Sequence, residues 1–207
     1  MATTLDEIGS REWWTKPWNE DQANHFPFFP MAGFAVDVYP IYTQYKYEWW
    51  SGYYDASVLK VLLACNSLGL ITHISPSVPG RLTDGTIQSR TNPNRFSRPP
   101  LRAQDIGLAD GAFAKGASVV VPSRRSQRPK DENRLHYDSL FRNLGSLTCK
   151  EFNRAFATAR GRVERTIGRL QFGWHGVQRH TWNMEVTDIA WLDACIMASA
   201  QLHNFTF

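Results

Sequence analysis

Gly33-Phe34-Ala35-Val36-Asp37-Val38-Tyr39-Pro40-Ile41 is an apolar run with one carboxylate at its centre. Its length and β-branched content predict a strand apolar on both faces, hence central in a sheet. Aspartate is depleted in strands and costly to bury alone, so Asp37 between Val36 and Val38 needs an explanation. Either it lies on an exposed edge or a cation holds it there.

Working outward, Val58–Cys65 and Leu70–Ser75 are two further apolar runs joined by Asn66-Ser67-Leu68-Gly69, a hairpin signal. With the first strand they predict three consecutive antiparallel strands. Pro79-Gly80-Arg81-Leu82-Thr83-Asp84-Gly85 leads into a short helix over Thr86–Arg90, with Asp84 as its expected N-cap. Ile106–Phe113 and Ser118–Pro122 read as two short strands, and Asp110 closes the first. The segments Ser89–Arg102 and Ser123–Asn133 are polar, arginine-rich loops. Before all of these, residues 1–32 form an aromatic lead-in with Trp13, Trp14 and Trp18 and no periodicity.

From Phe152 onward, Phe152, Phe156, Ala159, Val163, Ile167, Leu170 and Trp174 recur at steps of three and four, one buried stripe of a helix. Arg154, Arg160, Arg162, Arg165 and Arg169 surround it with a single acid, Glu164. The plain reading is a solvated basic face on which Arg160 and Glu164 form an i,i+4 pair. The sharper one turns Glu164 into a shared carboxylate site and the arginines toward a polyanion. A last helix over Val186–His203 is mostly apolar and reads as a packing element, with His203 structural.

The chain has 207 residues, 43% of them hydrophobic, enough for one compact domain with a sizeable core. Cys65, Cys149 and Cys195 are scattered and odd in number, which argues against a disulfide framework or a cysteine zinc site and for a reducing compartment. No secretory signal is visible and no apolar run approaches the roughly 20 residues that span a bilayer, so a soluble, intracellular protein is expected, with no membrane partner. Charge is divided unevenly: residues 81–180 hold 19 basic and 8 acidic side chains, a +11 block in an otherwise acidic chain. Such a block reads as a solvated surface or a nucleic-acid face.

The order of these features, Asp37 in a first strand, a hairpin, Asp84, Asp110 closing a fourth strand and then Glu164 on a late helix, matches an RNase H-like α/β fold. A mixed sheet of about five strands flanked by helices is expected over 33–207. The chain resembles the DDE-superfamily endonucleases of PIF/Harbinger-type transposases. The resemblance is carried by Ala35-Val36-Asp37-Val38-Tyr39-Pro40-Ile41, Pro79-Gly80-Arg81-Leu82-Thr83-Asp84, Gly107-Leu108-Ala109-Asp110-Gly111-Ala112-Phe113, Arg160-x3-Glu164-Arg165-x2-Gly168 and Leu202-His203-Asn204.

It implies a metal-dependent DNA endonuclease in which Asp37, Asp84 and Glu164 are catalytic. Together with Asp110 they would ligate two Mg²⁺ or Mn²⁺ ions, about 3.5–4 Å apart in such sites. The DNA-binding residues expected are Arg124, Arg125, Arg128, Arg160, Arg162, Arg165 and Arg169. Also implied are a nuclear location, DNA as substrate, a separate DNA-binding partner protein for targeting and a homo-oligomer. Three departures bear on DNA handling: Ala157 and Gln171 replace the family's tyrosine and lysine, and Trp49-Trp50-Ser51-Gly52 stands where relatives carry a basic step. The alternative is a catalytically impaired, transposase-derived DNA-binding or protein-interaction module.

Overall fold

The computed structural model describes residues 26, 28–29, 32–44, 46–90, 106–113, 119–122, 149–173 and 188–205. Its centre is β1 (Ala32–Tyr42), buried along nearly its whole length. On one side β1 pairs antiparallel with β3 (Ala56–Cys65), with Asp37 opposite Leu63 and Tyr39 opposite Val61. On the other it pairs parallel with β6 (Ile106–Leu108), which pairs parallel with β7 (Val119–Val120). The free side of β3 carries three short antiparallel partners: β2 (Trp50–Ser51), β4 (Ile71–Ile74) and β5 (Val78–Pro79). The result is a mixed α/β architecture, antiparallel at one side and parallel at the other.

Period-two alternation assigns the faces. Ala35, Tyr39 and Ile41 of β1, with Leu59, Val61, Leu63 and Cys65 of β3, bury against α2 (Cys149–Gly173) and α3 (Ile189–Phe205). The intervening Phe34, Val36, Val38, Leu62 and Ala64 bury on the opposite face with Ile87 of α1 (Asp84–Arg90) and with Phe113 and Val121. The expected stripe of α2 is the one used, Phe156, Ala159, Val163, Ile167 and Leu170 all being buried.

Boundaries differ from expectation where side chains compete with the backbone. The strand expected through Phe113 stops at Leu108. Asp110 turns the chain: its carboxylate accepts from the Ala112 N–H, and its carbonyl from the Phe113 N–H. At α1 the cap is Thr83 rather than Asp84. Its hydroxyl accepts from the Thr86 N–H at 3.2 Å and its carbonyl from the Ile87 N–H, which leaves the Asp84 side chain for another partner. Asp188 caps α3 through the Trp191 N–H, so that helix begins later than Val186.

The β3–β4 turn is fastened to both long helices. Gly69 sits at φ 93°, and its carbonyl accepts from the Thr166 hydroxyl of α2 while His203 Nε2 of α3 lies 3.2 Å from the same oxygen. Asn204 completes the attachment by bonding both the N–H and the C=O of Ile71 at 2.8 Å, closing the edge of β4 as a strand would. Among the described residues no helix is long and apolar enough to cross a membrane.

Candidate functional site

Asp37 belongs to the face of β1 that looks at α2, and one helical turn there brings Arg160 and Glu164 alongside it. Arg160 Nη1 donates to Asp37 Oδ2 at 3.0 Å, and Arg160 Nη2 to Glu164 Oε1. One guanidinium thus spans two carboxylates, its planar fork giving each its own N–H. The Val38 N–H donates to the other Asp37 oxygen at 2.8 Å. The expected i,i+4 pair exists, and the buried aspartate of the first strand is its third member.

Electrostatics around this group are frustrated. Burial pushes the Asp37 carboxyl up to about 6, and Asp110 and Glu164 push it the same way, against the Val38 N–H and the Arg160 charge. The ion pair with Arg160 would by itself lower the value. It does not prevail because burial of the carboxyl outweighs it, with Asp110 and Glu164 adding to that push. Asp37 and Arg160 are about one-fifth exposed, whereas the Glu164 side chain is 54% exposed.

Asp84 stands elsewhere. It pairs with Lys60, whose ammonium donates to Asp84 Oδ1 at 3.2 Å and to the Leu82 carbonyl at 2.9 Å. Lys60 lies opposite Pro40 in the β1–β3 register, on the sheet face of Val38 and Leu62, so this pair belongs to the α1 face and the Asp37 group to the α2 face. The Tyr54 ring sits 5.6 Å from the same ammonium, and its hydroxyl is pushed up to about 12 by burial first, then by Asp84, Tyr53 and Asp37. Neither Lys60 nor Tyr54 was singled out from the sequence. A lone lysine inside the apolar run 58–65 was the available signal, since a buried ammonium demands an acceptor.

The four expected metal ligands, Asp37, Asp84, Asp110 and Glu164, all fall among the described residues. Among those residues no three His, Cys, Asp or Glu side chains stand together as a set able to hold a metal ion. This overturns the expectation of a metal-dependent DNA endonuclease working by a two-metal mechanism. The physical reason is visible in the pairing: side-chain cations already take carboxylate oxygens of Asp37, Glu164 and Asp84, and the Asp110 carboxylate accepts from its own turn. Among the described residues, then, the assembled carboxylate cluster that a Mg²⁺ or Mn²⁺ pair needs is not found.

Four of the five arginines of α2 separate into two populations, Arg154 lying about a turn and a half before them. Arg160 is turned to the acids. Arg162, Arg165 and Arg169 follow each other at steps of three and four, so they share a flank, and Arg162 is two residues from both Arg160 and Glu164, a spacing that puts them on different sides. On that flank Arg165 and Arg169 are exposed and Arg162 is partly buried, and their charges reach the β3–β4 turn and α3: Arg162 and Arg165 act on the Cys65 thiol and Arg169 on His203. Cys65 is buried with its thiol pushed up to about 12, which makes it a packing residue and no nucleophile. Arg124, Arg125 and Arg128 lie outside the described residues.

Residues 38–204 match the model of a family described as DDE superfamily endonuclease. No curated protein and no solved structure matches the chain.

Proposed function

The chain belongs to the DDE superfamily endonuclease family, and from that premise we propose that it is a catalytically impaired, transposase-derived module that binds DNA. The observation that carries the reading is the Arg160 guanidinium spanning Asp37 and Glu164, with Lys60 on Asp84. Acids that would have to gather around cations are neutralised by the protein's own side chains. On this reading the fold is of the RNase H-like kind, kept as a scaffold in a PIF/Harbinger-type descendant, and phosphodiester turnover is lost.

DNA contact then falls to Arg162, Arg165 and Arg169. Arginines three and four residues apart on a helix advance about 4.5–6 Å per step, a spacing at which successive side chains can reach successive phosphates of one strand. Such contacts position a backbone without reading sequence, so targeting would fall to a separate DNA-binding partner protein. Binding is expected to weaken steeply with salt, because releasing counterions into a more concentrated solution gains less free energy.

The test is a fluorescence-polarisation titration of a duplex of arbitrary sequence across a salt series. A variant with Arg162, Arg165 and Arg169 all changed to Gln is expected to lower the slope of log K against log salt by roughly 2–3. In parallel, the duplex is expected to stay intact with Mg²⁺ or Mn²⁺ present. Metal-dependent cutting that Asp37→Asn abolishes, or binding unchanged in the triple variant, defeats the proposal.

A further inference from the structure

Tyr39, Val61 and Ser77 stand in one row across three neighbouring strands. Tyr39 lies opposite Val61 in the β1–β3 register, and Lys60 opposite Val78 in the β3–β5 register, so one step along that antiparallel pair brings Ser77 beside Val61. Tyr39 and Val61 belong to the sheet face that α2 and α3 cover. Asp193 of α3 meets the far end of the row, its Oδ1 accepting from the Ser77 N–H at 2.9 Å.

Two buried hydroxyls converge on that contact. The Tyr39 residue is 2% exposed, and among the described residues neither its hydroxyl oxygen nor that of Ser77 has a hydrogen-bond partner. Both lie close to Asp193. The Ser77 hydroxyl steadies the Asp193 charge without meeting it in hydrogen-bond geometry, and that charge raises the Tyr39 hydroxyl beyond what burial alone does. Buried hydroxyls left unpaired are costly, and protein interiors rarely keep two of them side by side.

We propose that Tyr39 Oη, Ser77 Oγ and the second carboxylate oxygen of Asp193 form a binding site for one internal water molecule. Their chemistry selects this occupant. Water accepts from the Tyr39 O–H, donates to Asp193 and takes either role with Ser77, and about three partners is the usual complement of a buried water. An anion would be repelled by Asp193. A divalent cation takes about six to eight oxygens, more than this row and its one acid supply. An apolar molecule would leave all three groups unpaired. The water extends the Ser77–Asp193 contact to β1, so that α3 is fastened to the central strand at this end as Asn204 fastens it to β4 at the other.

Two experiments on the full chain test the site. A crystal structure of the wild type is expected to show a single water oxygen within about 3.2 Å of Tyr39 Oη, Ser77 Oγ and an Asp193 carboxylate oxygen. Oxygen-17 magnetic relaxation dispersion counts long-lived internal waters by its amplitude. That amplitude is expected to fall by about one water when Tyr39→Phe and Ser77→Ala are combined, since the one partner left is too few to hold it. Tyr53→Phe removes a hydroxyl from a side chain that is 87% exposed and is expected to leave the amplitude as it was. The crystallographic arm needs no variant, so a double variant that fails to fold leaves the site testable. A Tyr39 hydroxyl bonded directly to Asp193 or to another segment of the chain overturns the proposal, and so does a cation in place of the water. An amplitude that the double variant does not lower, or that Tyr53→Phe lowers equally, overturns it as well.

Discussion

Arg160 and Asp37 are 123 residues apart in sequence and 3.0 Å apart in space, and the same guanidinium also holds Glu164. This contact fastens α2 to the central strand at the point where the strand carries a carboxylate. Arg160→Ala leaves Asp37 and Glu164 facing each other with Asp110 nearby and no cation among them. Breaking a partly buried pair from one side is expected to cost about 2–4 kcal/mol, read as a fall in the urea midpoint. Arg160→Lys is expected to recover only part of that loss, since an ammonium is a point charge and not a fork. Glu164→Gln is expected to cost less than about 1 kcal/mol, because more than half of that side chain is in water.

The raised Asp37 carboxyl makes stability depend on pH in a definite direction. Its ordinary value is 3.8 and its folded value about 6. A raised acid favours the folded state while protonated, so its contribution is whole below about pH 4 and is lost as pH rises through 6. Asp37→Asn carries no such dependence. The stability of the variant minus that of the wild type is therefore expected to grow by about 2 kcal/mol between pH 4 and pH 7. Urea denaturation of both proteins across that range measures it. A difference that is flat with pH would show that Arg160 fully compensates the charge.

Much of this site was legible in the sequence, and what was not has a common cause. Asp37 declared itself as a polar residue in an apolar strand, and Arg160 with Glu164 as an i,i+4 pair, because both are local signals. That the two signals describe one cluster depends on α2 packing across β1, which nothing local encodes. Asp84 was misplaced for a related reason. Thr83 and Asp84 are both good caps, and only the tertiary contact with Lys60 settles which of them takes the helix and which takes the lysine. The fold followed the same rule. The long strands and both long helices were readable from periodicity, and β7 falls inside the strand expected over Ser118–Pro122, whereas β2 and β5, two residues each, exist through their neighbours' hydrogen bonds.

Asn204 closes the exposed edge of β4 by bonding both backbone groups of Ile71. Asn204→Ala removes two hydrogen bonds at once and leaves a half-buried N–H and C=O without those partners. The expected cost is about 1–3 kcal/mol. Because α3 and β4 are joined there, amide exchange at Ile71 is expected to accelerate more than exchange within β1, which hydrogen exchange with mass spectrometry resolves. Equal acceleration everywhere would mean that the contact acts on global stability alone.

The pairing of acids with side-chain cations also sets the response to divalent ions. A cation that binds the folded chain stabilises it in proportion to the logarithm of its concentration over Kd. Asp37 and Glu164 are joined to Arg160 and Asp84 to Lys60, with the first group and the second on opposite faces of the sheet. A divalent ion would have to displace a guanidinium that donates to two oxygens and would then find too few acids around it. About 5 mM Mg²⁺ or Mn²⁺ is therefore expected to shift unfolding by less than about 0.5 kcal/mol beyond an equal ionic strength of NaCl, and EDTA to have no effect. A thermal melt with and without the ion decides it. An increase well above that figure, lost in Asp37→Asn, would mean that the acids gather around a cation after all and that Arg160 gives way to it.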